Sequence, residues 1–192
     1  MKLLLDILQG LGLSQAAGIR PFLPALVAGG AARADLLIDF EGGPFAFMES
    51  PWWLAALAAL ALGALIIRNE ITRHPPLAAA FQGLALGMGA LLFSGVLSGD
   101  GYTWWPGIPA GLAGAWLSMT AMQDLFDRAG TRLDEQARAH LPVYGEAIAV
   151  ALAALSILAP PVALVSAGFF AWLIIGGRRR RGEKHAGLRV LR

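Results

Sequence analysis

The sequence predicts an all-α integral membrane protein, a helical bundle of about six transmembrane helices. Of its 192 residues, 57% are hydrophobic and 15% are charged, whereas about a quarter of the residues of a soluble domain are charged. The mean hydropathy is +0.61. The 24 glycines fit membrane helices, in which small residues let backbones approach closely. Lipid is therefore the predicted solvent for most of the chain.

The first apolar segment, residues 3–32, contains the stretch Gly18-Ile19-Arg20-Pro21-Phe22-Leu23-Pro24. A straight span needs about 20 residues, so this segment is too long for one. Because proline breaks a helix, the first helix is predicted to be broken at Gly18 to Pro21. Three alternatives stay open: an interfacial start followed by a span over 11–32, one broken span, or a re-entrant element. The first two place Arg20 within the membrane.

Five further spans are predicted from the remaining apolar segments. Two glycine pairs spaced for close helix packing, Gly83/Gly87 and Gly107/Gly111, lie in the third and fourth spans. The polar stretch 124–140 is predicted to form an exposed or interfacial helix. Pro160-Pro161 divides the last apolar run into two short spans. The later spans are expected at about 52–67, 77–98 and 107–122, and on either side of the proline pair within 147–175.

The charges predict the orientation. With six spans and the N-terminus inside, thirteen of the fifteen Lys and Arg residues lie on the inner side, leaving Arg33 outside and Arg20 in the membrane. A five-span arrangement would strand the basic tail outside and is rejected. We therefore expect one transmembrane domain, 1–177, a basic cytoplasmic tail, 178–192, and both termini in the cytoplasm. No convincing cleavable signal is found, and helical spans favour a bacterial inner membrane.

Arg20 is the first candidate for a functional residue. An arginine at the centre of a span costs about 2.5–3.5 kcal/mol on insertion scales and usually faces a bundle interior or a wet cavity. Pro21 favours the start of a new helix, whose N–H groups and positive dipole end would point the same way as the guanidinium. The predicted anion-binding residues are Gly18, Arg20, Pro21 and Phe22. Alternatively, Arg20 snorkels to phosphates or pairs with Glu146 or Asp100.

Other polar groups have weaker functional interpretations. Glu70 and Arg73 form either a gate or a helix-end ion pair, and Glu146 is a partner for Arg20 or a titrating site. The chain has no cysteine, and its three histidines do not stand in a metal-ligand spacing. We therefore expect no metal, no cofactor and no catalytic residue, and we do not expect an enzyme. The run Arg178 to Arg181 is expected to bind anionic lipid headgroups rather than nucleic acid.

The chain resembles a family of small bacterial integral membrane proteins known only as a domain of unknown function. The resemblance rests on the stretch from Ala16 to Pro24, on Glu70-x-x-Arg73-x-Pro75, and on Tyr144-Gly145-Glu146 before a proline-broken apolar run. Members tend to have an acidic pair at the last position, where Ala147 follows Glu146 here. The resemblance implies a multi-span helical protein and no particular activity.

Two functions of different classes fit these features. The first is a small transporter or channel-like protein for an anionic solute or lipid headgroup, with Arg20 and the following helix start as its binding element. The second is a non-catalytic membrane scaffold or accessory subunit that meets its partners through glycine faces and the basic tail. Short, glycine-rich spans also favour a homo-oligomer.

Overall fold

The computed structural model describes residues 2–67, 70–71 and 74–186, without the side chains of 135, 138, 139 and 178–186. These ranges contain seven α-helices and no strand, so the predicted all-α class is confirmed. A short 3₁₀ helix, Ala46–Glu49, precedes α3. The helices are α1 Lys2–Ile19, α2 Phe22–Arg33, α3 Pro51–Ile66, α4 Pro75–Gly99, α5 Gly107–Gly130, α6 Glu135–Leu158 and α7 Val162–Ala186.

The bundle has two ends, which we name by what they contain. The loop end has the connections 34–50 and 100–106, and the tail end has the start of α4, the end of α5 and the exit of α7 past Gly177. Helix α5 runs antiparallel to α4, because Gly107 lies against Ser94 and Gly111 against Gly89. Gly177 lies beside Asp124 and Arg128 near the end of α5, which fixes the tail end.

Helices α1 and α2 form a hairpin that opens to the loop end. The Lys2 ammonium lies 2.6 Å from the Asp100 carboxylate, just after α4 ends. Helix α2 returns to the same end, where Gly29 packs on the backbone of Met48 and Gly42 on Gly99. Lys2 and the exit of α7 therefore lie at opposite ends of the bundle, whereas the sequence predicts Lys2 and the basic tail on one side of a membrane. The orientation of the two ends in a membrane stays a prediction.

Helix α1 is the centre of the bundle and packs against α4, α5, α6 and α7. Its small residues allow this, because a Cβ at Gly12 would overlap Ser156 of α6 and one at Gly18 would overlap the backbone of Ala115 in α5. The buried Gln15 side chain links α1 to α7: its amide donates to the Ala163 carbonyl at 3.4 Å and its oxygen accepts from Ser166 at 2.5 Å.

Close packing through glycine is confirmed for α4 and α5, but only in part at the predicted positions. A Cβ at Gly111 would overlap the Gly89 carbonyl and the Ala90 Cα, and one at Gly107 would overlap the Ser94 backbone. Gly83 and Gly87 are exposed, and a Cβ at either would meet nothing within 4 Å. No described helix of this chain covers that pair, so its predicted contact within the bundle is wrong, because spacing alone does not say which side of α4 faces the bundle.

We expect Gly111→Ala to destabilise the fold and Gly87→Ala to leave it unchanged or slightly stabilise it. The new methyl at position 111 must push against backbone, and overpacking of this kind costs about 1–3 kcal/mol. At position 87 the methyl has open space, and alanine favours a helix over glycine by about 1 kcal/mol. Thermal unfolding of the two variants in the same detergent measures this. Equal melting temperatures would contradict the packing of α4 on α5.

The charged stretch 124–140 does not form the separate interfacial helix that the sequence predicts. Instead α5 continues to Gly130 and α6 begins at Glu135. The Asp134 carboxylate caps α6 by accepting a hydrogen bond from the Ala137 N–H at 2.8 Å. The connection between α5 and α6 therefore lies just before this cap and not at the ends of the apolar runs. The predicted turn at Pro160-Pro161 separates α6 from α7, and α7 continues past the expected domain boundary at Gly177.

Two helical segments in the described residues are long and apolar enough to cross a membrane, Pro75–Gly99 and His140–Leu158. Three shorter apolar helices accompany them: Phe22–Arg33, Pro51–Ile66 and Val162–Gly177. By length and composition, the fold is thus compatible with membrane association.

Candidate functional site

The predicted helix break forms the tip of the α1–α2 hairpin. Helix α1 ends at Ile19, and the Arg20 N–H still donates to the Ala16 carbonyl at 3.1 Å. Pro21 has φ −70° and ψ −38° and stands at the N-cap of α2. The proline side chain has no hydrogen-bond acceptor, so it does not cap the first N–H groups of α2. The break occurs here because Pro21 has no N–H to continue the α1 ladder.

Arg20 forms an ion pair with Glu146 of α6. Its Nε lies 2.8 Å from the Glu146 Oε1, and its NH2 group donates to the Pro142 carbonyl at 3.5 Å. The Nε–H has no acceptor in hydrogen-bond geometry, so the contact of Nε with Glu146 is electrostatic and is not a hydrogen bond. The two side chains are 31% and 24% exposed, which leaves both accessible to a ligand.

Gly145 makes room for this ion pair. A Cβ at that position would lie 3.3 Å from the NH2 of Arg20 and 3.2 Å from the Phe126 ring. Contacts this short require the neighbours to shift. The glycine before Glu146 therefore lets the guanidinium lie directly against the α6 backbone.

The ion pair lines a cavity of about 260 Å³ that is bounded by the hairpin tip and by α3, α4, α5 and α6. Two glutamine amides, of Gln82 and Gln123, also reach it, and most of the remaining wall is apolar. The apolar wall comes from α3, α4 and the hairpin tip: Ile19, Phe22, Leu23, Ala61, Ala64, Leu65, Ala78, Phe81 and Ala85. A cavity that is apolar with a few convergent polar groups is typical of a ligand site.

The structure brings most of the predicted site residues together and gives each a distinct place. Arg20, Pro21 and Glu146 line the cavity. Phe22 forms part of its wall and packs edge-to-face on Phe81, with ring centroids 6.1 Å apart. Gly18 also borders the cavity, but the position requires glycine because α1 touches α5 there.

Glu70, the described member of the second predicted pair, does not line this cavity. The Glu70 carboxylate lies 3.2 Å from the His74 Nε2, at the start of α4. Arg73 lies outside the described residues. Ile71, next to Glu70, does line the cavity, so this connection forms one of its borders.

Sequence reasoning missed Gln82 and Gln123. Each is a polar residue in or beside an apolar run, and this feature of the sequence could have marked it as a candidate site residue. A single amide in a membrane helix is also compatible with a purely interhelical hydrogen bond, so only the three-dimensional arrangement assigns both to the cavity of Arg20.

The similarity to a known family extends over almost the whole chain. Residues 7–180 match the family model described as "Domain of unknown function (DUF4126)". The chain belongs to this family. No curated protein and no solved structure matches the chain. The family match includes both Arg20 and Glu146, and it confirms the resemblance seen in the sequence.

Proposed function

We propose that this member of the family is a multi-pass membrane protein that binds and moves an anionic solute or lipid headgroup, with Arg20 as its binding residue. One observation supports this most strongly: a guanidinium at the tip of a broken helix faces a largely apolar cavity and has Glu146 as its counter-ion. Ionisable residues among membrane helices commonly mark substrate paths.

A membrane setting is supported by the outer surface of the bundle. Large apolar side chains are exposed on α3 and α7, among them Trp52 at 85%, Ile66 at 83% and Val165 at 73%. Water would penalise such a surface, whereas lipid would not. In this proposal α3, α4 and α5 cross the bilayer, and α6 and α7 cross it out and back from the tail end, since α6 contains one of the two segments long and apolar enough for a full span. The α1–α2 hairpin enters from the loop end.

The positive-inside rule then places the tail end in the cytoplasm of a bacterial cell, at its inner membrane. The tail end has Arg128 and Arg132, and α7 leads from it into the run Arg178 to Arg181. The N-terminus would lie on the opposite side, because Lys2 pairs with Asp100 at the loop end.

Binding would proceed by exchange of counter-ions. The anion takes the place of the Glu146 carboxylate on the guanidinium of Arg20, and Glu146 turns toward the more exposed part of the cavity. Charge-assisted hydrogen bonds to a guanidinium are strong in a partly desolvated site, and a phosphate or carboxylate can be held in a bidentate manner. The displaced Glu146 carboxylate stays attached to α6 beside the anion, so binding adds a negative charge to the site, and this like-charge contact opposes binding.

Native mass spectrometry of the detergent-purified protein tests the proposal. We expect a bound anionic species on the wild type that is lost in Arg20→Gln and kept in Arg132→Gln. The control removes the same charge from an exposed position at the tail end. Loss in both variants, or in neither, would reject Arg20 as the binding residue.

A scaffold or accessory subunit is the second candidate, and the exposed glycines of α4 favour it. Gly83 and Gly87 have open space in front of them, which a close-packed helix of a second chain could fill. A stoichiometric partner, or a second copy of this chain, should then dissociate in the Gly83→Leu variant. If the wild-type protein is a monomer without a partner, and Gly83→Leu does not change its mass in solution, this candidate is contradicted.

A further inference from the structure

We propose that the ligand of Arg20 is a lipid with an anionic headgroup, whose chain leaves the cavity sideways between α3 and α4. The inference rests on the proposed function and narrows it, because a soluble anion would satisfy that function equally. It depends on three features: a gap between two consecutive helices, the division of the cavity into a polar and an apolar part, and its size.

The gap lies between α3 and α4. In the described residues α3 packs on α2 and on the 3₁₀ helix, whereas it scarcely touches α4. Consecutive antiparallel helices in a bundle usually pack on each other. Here the cavity separates them, with Ala61 and Ala64 on one wall and Ala78 and Ala85 on the other. Small side chains on both walls keep this side of the cavity open.

The cavity is more polar at one side than at the other. Arg20, Glu146 and Gln123 lie toward the hairpin tip, α5 and α6, while the walls that lead to the gap are apolar except for Gln82 of α4. An inorganic anion would use the polar side and gain nothing from the apolar walls. A lipid would use both, since its headgroup binds the guanidinium and its chain covers the apolar walls.

The size of the cavity also favours a ligand that extends out of it. A volume of about 260 Å³ is slightly below the range of small-molecule sites, which span about 300–1,000 Å³. A whole lipid does not fit inside. A lipid whose chain passes through the gap needs room only for its headgroup and the first part of its chain.

The depth of the site indicates the leaflet. Phe22, two residues after Arg20, packs on Phe81, which lies about 9 Å along α4 from its first residue at 1.5 Å per residue. Arg20 is thus nearer the tail end than the loop end. A headgroup entering from the leaflet at the tail end has the shorter path to it.

The experiment compares two probes on the same purified protein in a non-ionic detergent: phosphatidic acid with a fluorescent chain, and inorganic phosphate as its competitor. We expect saturable binding of the lipid that Arg20→Gln abolishes, and competition by phosphate only at concentrations about a hundredfold higher or more. Equal affinity for the two probes would overturn the lipid assignment and leave the proposed function intact. Absence of any Arg20-dependent binding would overturn both.

Gap variants give an independent test. Ala64→Trp and Ala78→Trp place an indole in the exit path from either wall, while Ala59→Trp places one on the exposed face of α3, away from the cavity. We expect the first two to weaken lipid binding about tenfold or more and to leave phosphate binding unchanged, with the control close to wild type. Unchanged lipid affinity in either folded gap variant would contradict the lateral exit. The probe comparison on the unaltered protein decides the substrate class even where both variants fail to fold.

Discussion

Glu146→Gln is expected to tighten the binding of an anionic amphiphile about tenfold, whereas Arg20→Gln is expected to abolish it. The reason is that Glu146 occupies the guanidinium of Arg20 in the ligand-free protein, at 2.8 Å. Any anion that binds must displace this carboxylate. Glutamine has the same shape without the charge, so it removes the competitor and keeps the cavity.

The opposite signs separate a binding site from a structural ion pair. If the pair only stabilises the fold, both variants should lose stability by a similar amount and neither should gain affinity. Removing one partner of a buried pair costs about 3–5 kcal/mol, and exposed pairs contribute at most about 1 kcal/mol. At 31% and 24% exposure, this pair lies between those limits. Isothermal titration with a phosphate amphiphile, alongside thermal unfolding of each variant, measures both quantities.

Impermeant labelling of introduced cysteines should place residue 2 and residue 103 on one side of the membrane and residue 131 on the other. The chain has no cysteine of its own, so each signal comes from the introduced thiol alone. Lys2→Cys removes an ion pair in which Lys2 is 72% and Asp100 23% exposed, so thermal unfolding of this variant checks that the fold is kept. Thr103→Cys reports on the loop end and Thr131→Cys on the tail end.

This outcome is all-or-none because the hairpin either reverses at Arg20 or does not. In sealed inside-out and right-side-out vesicles, Lys2→Cys and Thr103→Cys should react in the same preparation. If Lys2→Cys instead reacts together with Thr131→Cys, then α1 and α2 cross the membrane as one broken span and the hairpin is refuted.

The break in the first helix was predictable because its cause is local. Pro21 removes a backbone donor and Arg20 is unfavourable in an apolar run, and both facts are visible in the sequence. The reversal of direction after the break was not predictable. It depends on contacts between residues far apart in the chain, such as Lys2 with Asp100 and Gly42 with Gly99. The charge count puts Lys2 and the basic tail on one side, whereas Lys2 and Gly177 lie at opposite ends of the bundle, because a hairpin and a single broken span look alike in hydropathy.

The glycine patterns were informative about packing density but not about partners. Gly107 and Gly111 lie in a contact, while Gly83 and Gly87, with the same spacing, face outward. A four-residue spacing puts two small residues on one face of a helix and does not say what covers that face. Sequence spacing also does not say which distant residues meet, so Glu146 and Asp100 were both candidate partners for Arg20. In the structure Glu146 pairs with Arg20, and Asp100 pairs with Lys2.

The cavity itself was beyond prediction from the sequence. Its walls come from several helices and from the connection at Ile71, and its gap exists because α3 packs on α2 instead of α4. Alanines such as Ala64 and Ala78 are ordinary members of apolar runs, and only the folded arrangement shows that they face each other across the cavity.

The most direct test of the central claim, that Arg20 recognises an anion, is to observe its guanidinium while the anion binds. With ¹⁵N-labelled arginine in a non-ionic detergent, titration with a phosphate amphiphile should shift the Arg20 Nε–H resonance saturably. The Arg132 resonance should change little, and the Arg20 signal should be identified by its absence in Arg20→Gln. A resonance of Arg20 that stays fixed while the amphiphile binds elsewhere would contradict the claim and leave the arginine as the structural partner of Glu146.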